Sequence, residues 1–171
     1  MKEIALIDEK HIKNNLVNLR QIVFEVTETC NLNCRYCGLS DLYQTFEVRQ
    51  NRNMPFKTAQ LVIDHFFNLW RENQTSDTMR RLAISFYGGE PLINMPLIKK
   101  IIDYVEQSGI TGRNIFYNMT TNGMLLDKHM DYLAEKKIKL LISLDGDETS
   151  QSYRVDHYGK NSFHQVIHNV K

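Results

Sequence analysis

Apolar residues recur along the chain in two rhythms, and the rhythms alternate. Residues 21–27 (QIVFEVT) alternate polar and apolar and are rich in β-branched and aromatic side chains, which predicts a strand. Residues 55–73 follow with Ala59, Val62, Ile63, Phe66 and Trp70 at helical spacing, an apolar stripe for one buried face. Residues 82–87 (LAISFY) predict a second strand. Asn94 is placed to cap a helix carrying Ile98, Ile101, Ile102 and Val105, and Gly109 to end it. Residues 114–120 predict a third strand, and Asp127 is placed to cap a helix through Met130, Leu133 and Ala134. Residues 138–144 are almost continuously apolar, the pattern of a strand buried on both faces. Ser162 is placed to cap a last helix with Phe163, Val166, Ile167 and Val170 on one side.

Four strands alternating with helices predict an α/β fold: a parallel sheet of about four strands with flanking helical crossovers, part of a (βα) TIM-like barrel. A closed eight-stranded barrel takes about 250 residues, and four units would leave sheet edges open. The last helical pattern still runs at Lys171, so the expectation is a truncated chain: residues 1–20 as an N-terminal extension and 21–171 as the first half of a domain. Residues 41–54 form a long polar connection, expected to be poorly ordered when the site is empty.

Composition narrows the function classes. Hydrophobic residues make up 42% of the 171, enough for a core without a structural metal, so a metal here would serve chemistry. Twenty-one basic against 20 acidic residues give a net charge of +1, with no basic block, which argues against a nucleic-acid partner. No apolar run approaches the ~20 residues that span a bilayer. The first twenty residues carry no signal-peptide core, so the expectation is a cytoplasmic protein without a membrane partner.

The chemistry-bearing residues share one address. Cys30, Cys34 and Cys37 follow the first strand; Gly88, Gly89 and Glu90, before Pro91, follow the second; Asn122 and Gly123 follow the third; Ser143 and Asp145 end the fourth. In parallel α/β folds the C-terminal strand ends form one rim, and that rim carries the active site. Three cysteines within eight residues are a poor disulfide framework and point to a metal. Thiolates suit zinc, copper(I) and iron–sulfur clusters. Zinc typically takes four ligands and a cubane cluster usually four cysteines, so three would leave one iron open to a small molecule. On the cysteines alone, a zinc-binding structural or interaction module and a non-catalytic iron–sulfur electron carrier stand as alternatives. His164 and His168, four apart on a helix, suit a solvated face better than a metal pair.

The spacing C-x3-C-x2-C with Tyr36 before the last cysteine, joined by Gly88-Gly89-Glu90-Pro91, resembles the radical S-adenosylmethionine (SAM) superfamily. The resemblance implies a six-stranded barrel of which this chain is a part. It implies a [4Fe-4S] cluster on Cys30, Cys34 and Cys37, and SAM chelating the fourth iron to yield a 5′-deoxyadenosyl radical. It further implies SAM contacts from Gly88, Gly89, Glu90, Asn122, Ser143, Arg154 and Tyr36, with Asp145 a candidate on the substrate side. The stretch 143–163 (SLDGDETSQSYRVDHYGKNSF) is similar to the SPASM-type maturases of peptides and proteins, including anaerobic sulfatase-maturating enzymes. That implies a peptide or protein substrate and an electron donor such as flavodoxin or ferredoxin. Asp147, where many members have proline, and Gln151-Ser152, in place of a common His-Asp, depart from the pattern. Missing later strands and a cysteine-rich domain would leave the chain alone with little turnover.

Overall fold

A computed structural model describes residues 8–38, 50–73 and 80–171. The elements run α1 (Glu9–Val17), β1 (Gln21–Thr27), α2 (Phe56–Glu72), β2 (Arg80–Gly88), α3 (Met95–Gln107), β3 (Arg113–Thr121), α4 (Met130–Glu135), β4 (Lys139–Ile142) and α5 (Phe163–Val170). The strands form one sheet in the order β1-β2-β3-β4, and every neighbouring pair is parallel. This is the partial barrel that the alternating rhythms predict. The helix α1, at 9–17, went unpredicted. It is tied down by Trp70, whose Nε1 donates to Leu16 O at 3.3 Å, and by Arg113, whose Nη2 donates to Val17 O at 2.5 Å.

The sheet buries one face. Ile22, Phe24 and Val26 of β1 and Leu82, Ile84 and Phe86 of β2 pack against Ala59, Ile63, Phe67 and Trp70 of α2 and Ile98, Ile101, Ile102 and Val105 of α3. Of the stripe read from the sequence, Ala59, Ile63 and Trp70 are buried, Val62 and Phe66 pack at the edge of the core, and Phe67, outside that stripe, is buried as well. Ile101 is fully buried in the core. Ile101→Ala is expected to cost about 2–5 kcal/mol, transfer and cavity terms together; urea unfolding of the variant measures it.

On the opposite face Ala83 and Ser85 are buried, but Val23, Tyr87 and Leu141 are all more than half exposed. Here the expectation for residues 138–144 is corrected. The strand is shorter, Lys139–Ile142, and is not buried on both faces; Leu141 is 66% exposed and Leu144 41%. In this chain β4 is an edge strand, and its apolar run finds no second layer.

Three capping expectations are corrected as well. Asn94 precedes α3 without a side-chain cap; its Nδ2 donates instead to Val26 O at 2.8 Å. Asp127 lies in a 3-10 turn, and α4 begins after His129 with no side-chain cap. Ser162 makes no cap for α5, because its hydroxyl accepts from Gln151 Nε2 at 3.1 Å. Asn94 and Ser162 are held instead by partners elsewhere in the chain.

The connection predicted to be poorly ordered divides. Residues 39–49 lie outside the described residues. Residues 50–54 run antiparallel to the end of β1: Glu28 N donates to Arg52 O at 2.9 Å, and Met54 N to Val26 O at 3.1 Å.

Candidate active site

One cavity of about 370 Å³ opens at the C-terminal ends of the strands. Its lining includes Cys30, Cys34, Tyr36 and Cys37 after β1, Gly88, Gly89 and Glu90 after β2, Asn122 after β3, Ser143 after β4, and Arg154. Every proposed cofactor residue thus lines the same space. The reason is topological: parallel strands deliver all their C-terminal loops to one rim.

The two glycines are needed for packing. A Cβ on Gly88 would lie 2.3 Å from Thr27 O, and one on Gly89 2.3 Å from Thr29 O. The turn after β2 therefore presses directly on the backbone that leads into the cysteines. Gly89 N donates to Thr27 O at 2.8 Å and Glu90 N to Thr29 O at 2.9 Å, closing the contact.

Glu90 is 1% exposed and its carboxylate is used inside the chain. Oε1 accepts from Leu92 N at 3.0 Å and Thr121 Oγ1 at 2.7 Å; Oε2 accepts from Asn122 N at 2.7 Å. Burial raises the Glu90 pKa above its ordinary value, while these three bonds pull it back. The sequence pointed to this carboxylate as a ligand contact; its geometry ties the ends of β2 and β3 together.

The cysteine loop is clamped from the other side by residues 153–157. Asn33 N donates to Val155 O at 2.7 Å, Arg35 N to Tyr153 O at 2.9 Å, and His157 Nε2 to Cys30 O at 3.0 Å. Side chains add a second tie. Tyr36 OH donates to Asp145 Oδ2 at 2.6 Å, Arg154 Nε donates to Asp145 Oδ1 at 2.9 Å, and the guanidinium lies over the Tyr36 ring at 5.3 Å. Burial, together with the bond to Asp145, raises the Tyr36 pKa. Asp145 is thus an anchor for two cavity residues. Its own backbone N donates to Oε1 of Gln151, which is fully buried. Sequence reasoning noted Gln151 only as a departure from a pattern, and missed Thr121. A polar residue at the buried end of a strand was the available signal for Thr121. His164 pairs with Glu148 on the exposed surface, at 3.0 Å.

The donor set decides what the site can hold. All three cysteines are thiols, with Cys34 buried and its pKa raised by desolvation. A single zinc ion needs thiolates about 2.3 Å from one point. Among the described residues no three His, Cys, Asp or Glu side chains are arranged to hold one metal ion. Three thiols distributed around a cavity instead suit a cofactor several ångströms across. Among the described residues no helix is long and apolar enough to cross a membrane.

Comparison with known proteins agrees with this geometry. A family model described as the radical SAM superfamily matches residues 24–171. An uncharacterized protein of Methanocaldococcus jannaschii is 37% identical over 145 residues, covering 84% of this chain and 45% of that protein. The cysteine-type anaerobic sulfatase-maturating enzyme of Clostridium novyi is 27% identical over 157 residues, covering 90% of this chain and 40% of the enzyme. The solved structure of native anSMEcpe with bound AdoMet matches with a TM-score of 0.73 at 22% identity, over 89% of this chain and 40% of that one, a likeness of fold. The chain spans less than half the length of these relatives.

Proposed function

The chain belongs to the radical SAM superfamily, and from that premise we propose that it carries the cofactor-binding part of an enzyme that abstracts hydrogen from a peptide or protein side chain. The cofactors of the superfamily are a [4Fe-4S] cluster and S-adenosylmethionine. When bound together they supply a 5′-deoxyadenosyl radical by one-electron cleavage of the sulfonium; the rest is positioning by the chain's own residues.

The observation that carries the reading is the shared cavity: three thiols, a close-packed glycine turn, a serine and a guanidinium. In this reading Cys30, Cys34 and Cys37 hold three irons. Arg154, oriented through Nε by Asp145, and Ser143 receive the cofactor carboxylate, which suits a planar cation. The backbone of Gly88, Gly89 and Glu90 receives its amino group, since the Glu90 carboxylate already serves three donors. Tyr36 and Asn122 line the same space. The substrate class is supported by similarity to a sulfatase-maturating enzyme. A low-potential flavodoxin or ferredoxin is the proposed electron donor.

Anaerobic reconstitution tests the reading. Near four irons and four sulfides per chain are expected, with an electron paramagnetic resonance (EPR) signal of the reduced cluster that changes on adding SAM. One zinc per chain, or a cluster signal indifferent to SAM, would overturn it. Arg154→Ala is expected to weaken SAM binding roughly 10- to 100-fold, the loss of a charge-assisted contact; titration of the EPR change measures it. Peptide substrates are tested by mass spectrometry of cysteine- and serine-containing peptides incubated anaerobically with the loaded protein, a one-electron reductant and SAM. Peptides that return unmodified while a small-molecule substrate is consumed would remove the peptide assignment.

A further inference from the structure

We infer that Asn122 is a positioning residue whose side-chain amide, acting through the Cys30 sulfur, raises the reduction potential of the cluster. The inference rests on the proposed cluster site and goes beyond it.

Asn122 is 7% exposed, and its hydrogen-bonding groups are placed one by one. Its backbone N donates to Glu90 Oε2 at 2.7 Å. Its Oδ1 accepts from Met124 N at 3.0 Å. Nδ2 donates to Asn31 Oδ1 at 2.7 Å and to Cys30 Sγ at 3.8 Å. The bond from Met124 N fixes which end of the amide is oxygen, so the NH₂ end must face Cys30. The same sulfur receives Leu32 N at 3.5 Å. Glu90 in turn is held by Thr121 and Leu92. A buried carboxylate therefore fixes an amide, and the amide fixes a donor on one thiolate.

The consequence follows from charge. One-electron reduction makes a thiolate-ligated cluster more negative. An N–H directed at a ligand sulfur stabilises that added charge and moves the potential up. The donor is a neutral amide, so the effect needs no proton at the site.

The test uses the full chain, reconstituted anaerobically without SAM. Potentiometric titration followed by EPR compares wild type, Asn122→Ala and Asn122→Asp. The midpoint is expected to fall in the alanine variant and further in the aspartate variant, where a negative charge replaces the donor. Midpoints equal to wild type in the loaded fraction would overturn the inference, because a mere brace lowers iron content without moving the potential of the clusters that remain. Should neither variant retain a cluster, the wild-type protein carrying amide-¹⁵N asparagine decides. A hyperfine coupling from a side-chain amide to the reduced cluster supports the inference, and its absence ends it. A cluster that responds to SAM but has an unmoved midpoint refutes only the role of Asn122. A wild-type chain without a SAM-responsive cluster refutes the site itself.

Discussion

Cys34→Ala is expected to abolish cluster assembly, with iron falling from near four per chain to a trace after anaerobic reconstitution. Cys34 is the middle cysteine of the proposed ligand set, and it is buried on the cavity wall. Burial holds its thiol protonated to higher pH than usual, so in the empty chain it is a small packed hydrophobe. Removing it leaves two thiols for a cluster that already uses one ligand fewer than the usual four. The folded chain loses little, about 1 kcal/mol for a small buried side chain. Iron and sulfide analysis, paired with urea unfolding of the empty protein, separates the two effects. Full iron content in Cys34→Ala would place the cluster elsewhere.

Gly89→Ala is expected to destabilise the empty protein by about 3 kcal/mol or more, through overpacking against atoms that cannot rotate away. The new Cβ would sit 2.3 Å from Thr29 O, 2.5 Å from Glu28 O and 2.6 Å from Thr29 C, all backbone. To accommodate it, the turn after β2 must leave the segment that leads to Cys30. That breaks the bonds from Gly89 N to Thr27 O and from Glu90 N to Thr29 O. The cysteine loop then loses one wall, so cluster content is expected to fall with stability. Gly38→Ala is the control: a Cβ there meets nothing within 4 Å, and a change within about 0.5 kcal/mol is expected. Equal denaturation midpoints for the two variants would show that the turn does not press on the loop.

These two predictions sort the site by how it could be known. The cysteines were legible because three thiols within eight residues are a local pattern with few chemical uses. The glycines were legible as a turn, but the reason for them was not. Sequence reasoning had them approaching a ligand; in the structure they line the cavity and also pack on the backbone at Thr27 and Thr29, some sixty residues earlier. Glu90, Asn122 and Asp145 repeat the lesson. Each was a candidate for a cofactor or substrate contact, and each is also engaged by a group of this chain: Thr121, Cys30 and Asn31, and Tyr36 with Arg154.

By itself the sequence determined the order of strands and helices, the helix-facing stripe of α2, and the arrival of four reactive clusters at one rim. Periodicity and parallel topology need only local spacing and the right-handed crossover. Tertiary structure alone decided which polar groups pair. Asn94 left its helix for Val26 O and Ser162 left its own for Gln151, while the apolar run at 138–144 packs on the core through Ile138, Leu140 and Ile142 and leaves Leu141 and Leu144 exposed. A hydrogen bond is satisfied by whichever partner lies within about 3 Å, and nothing in local sequence records who that neighbour is.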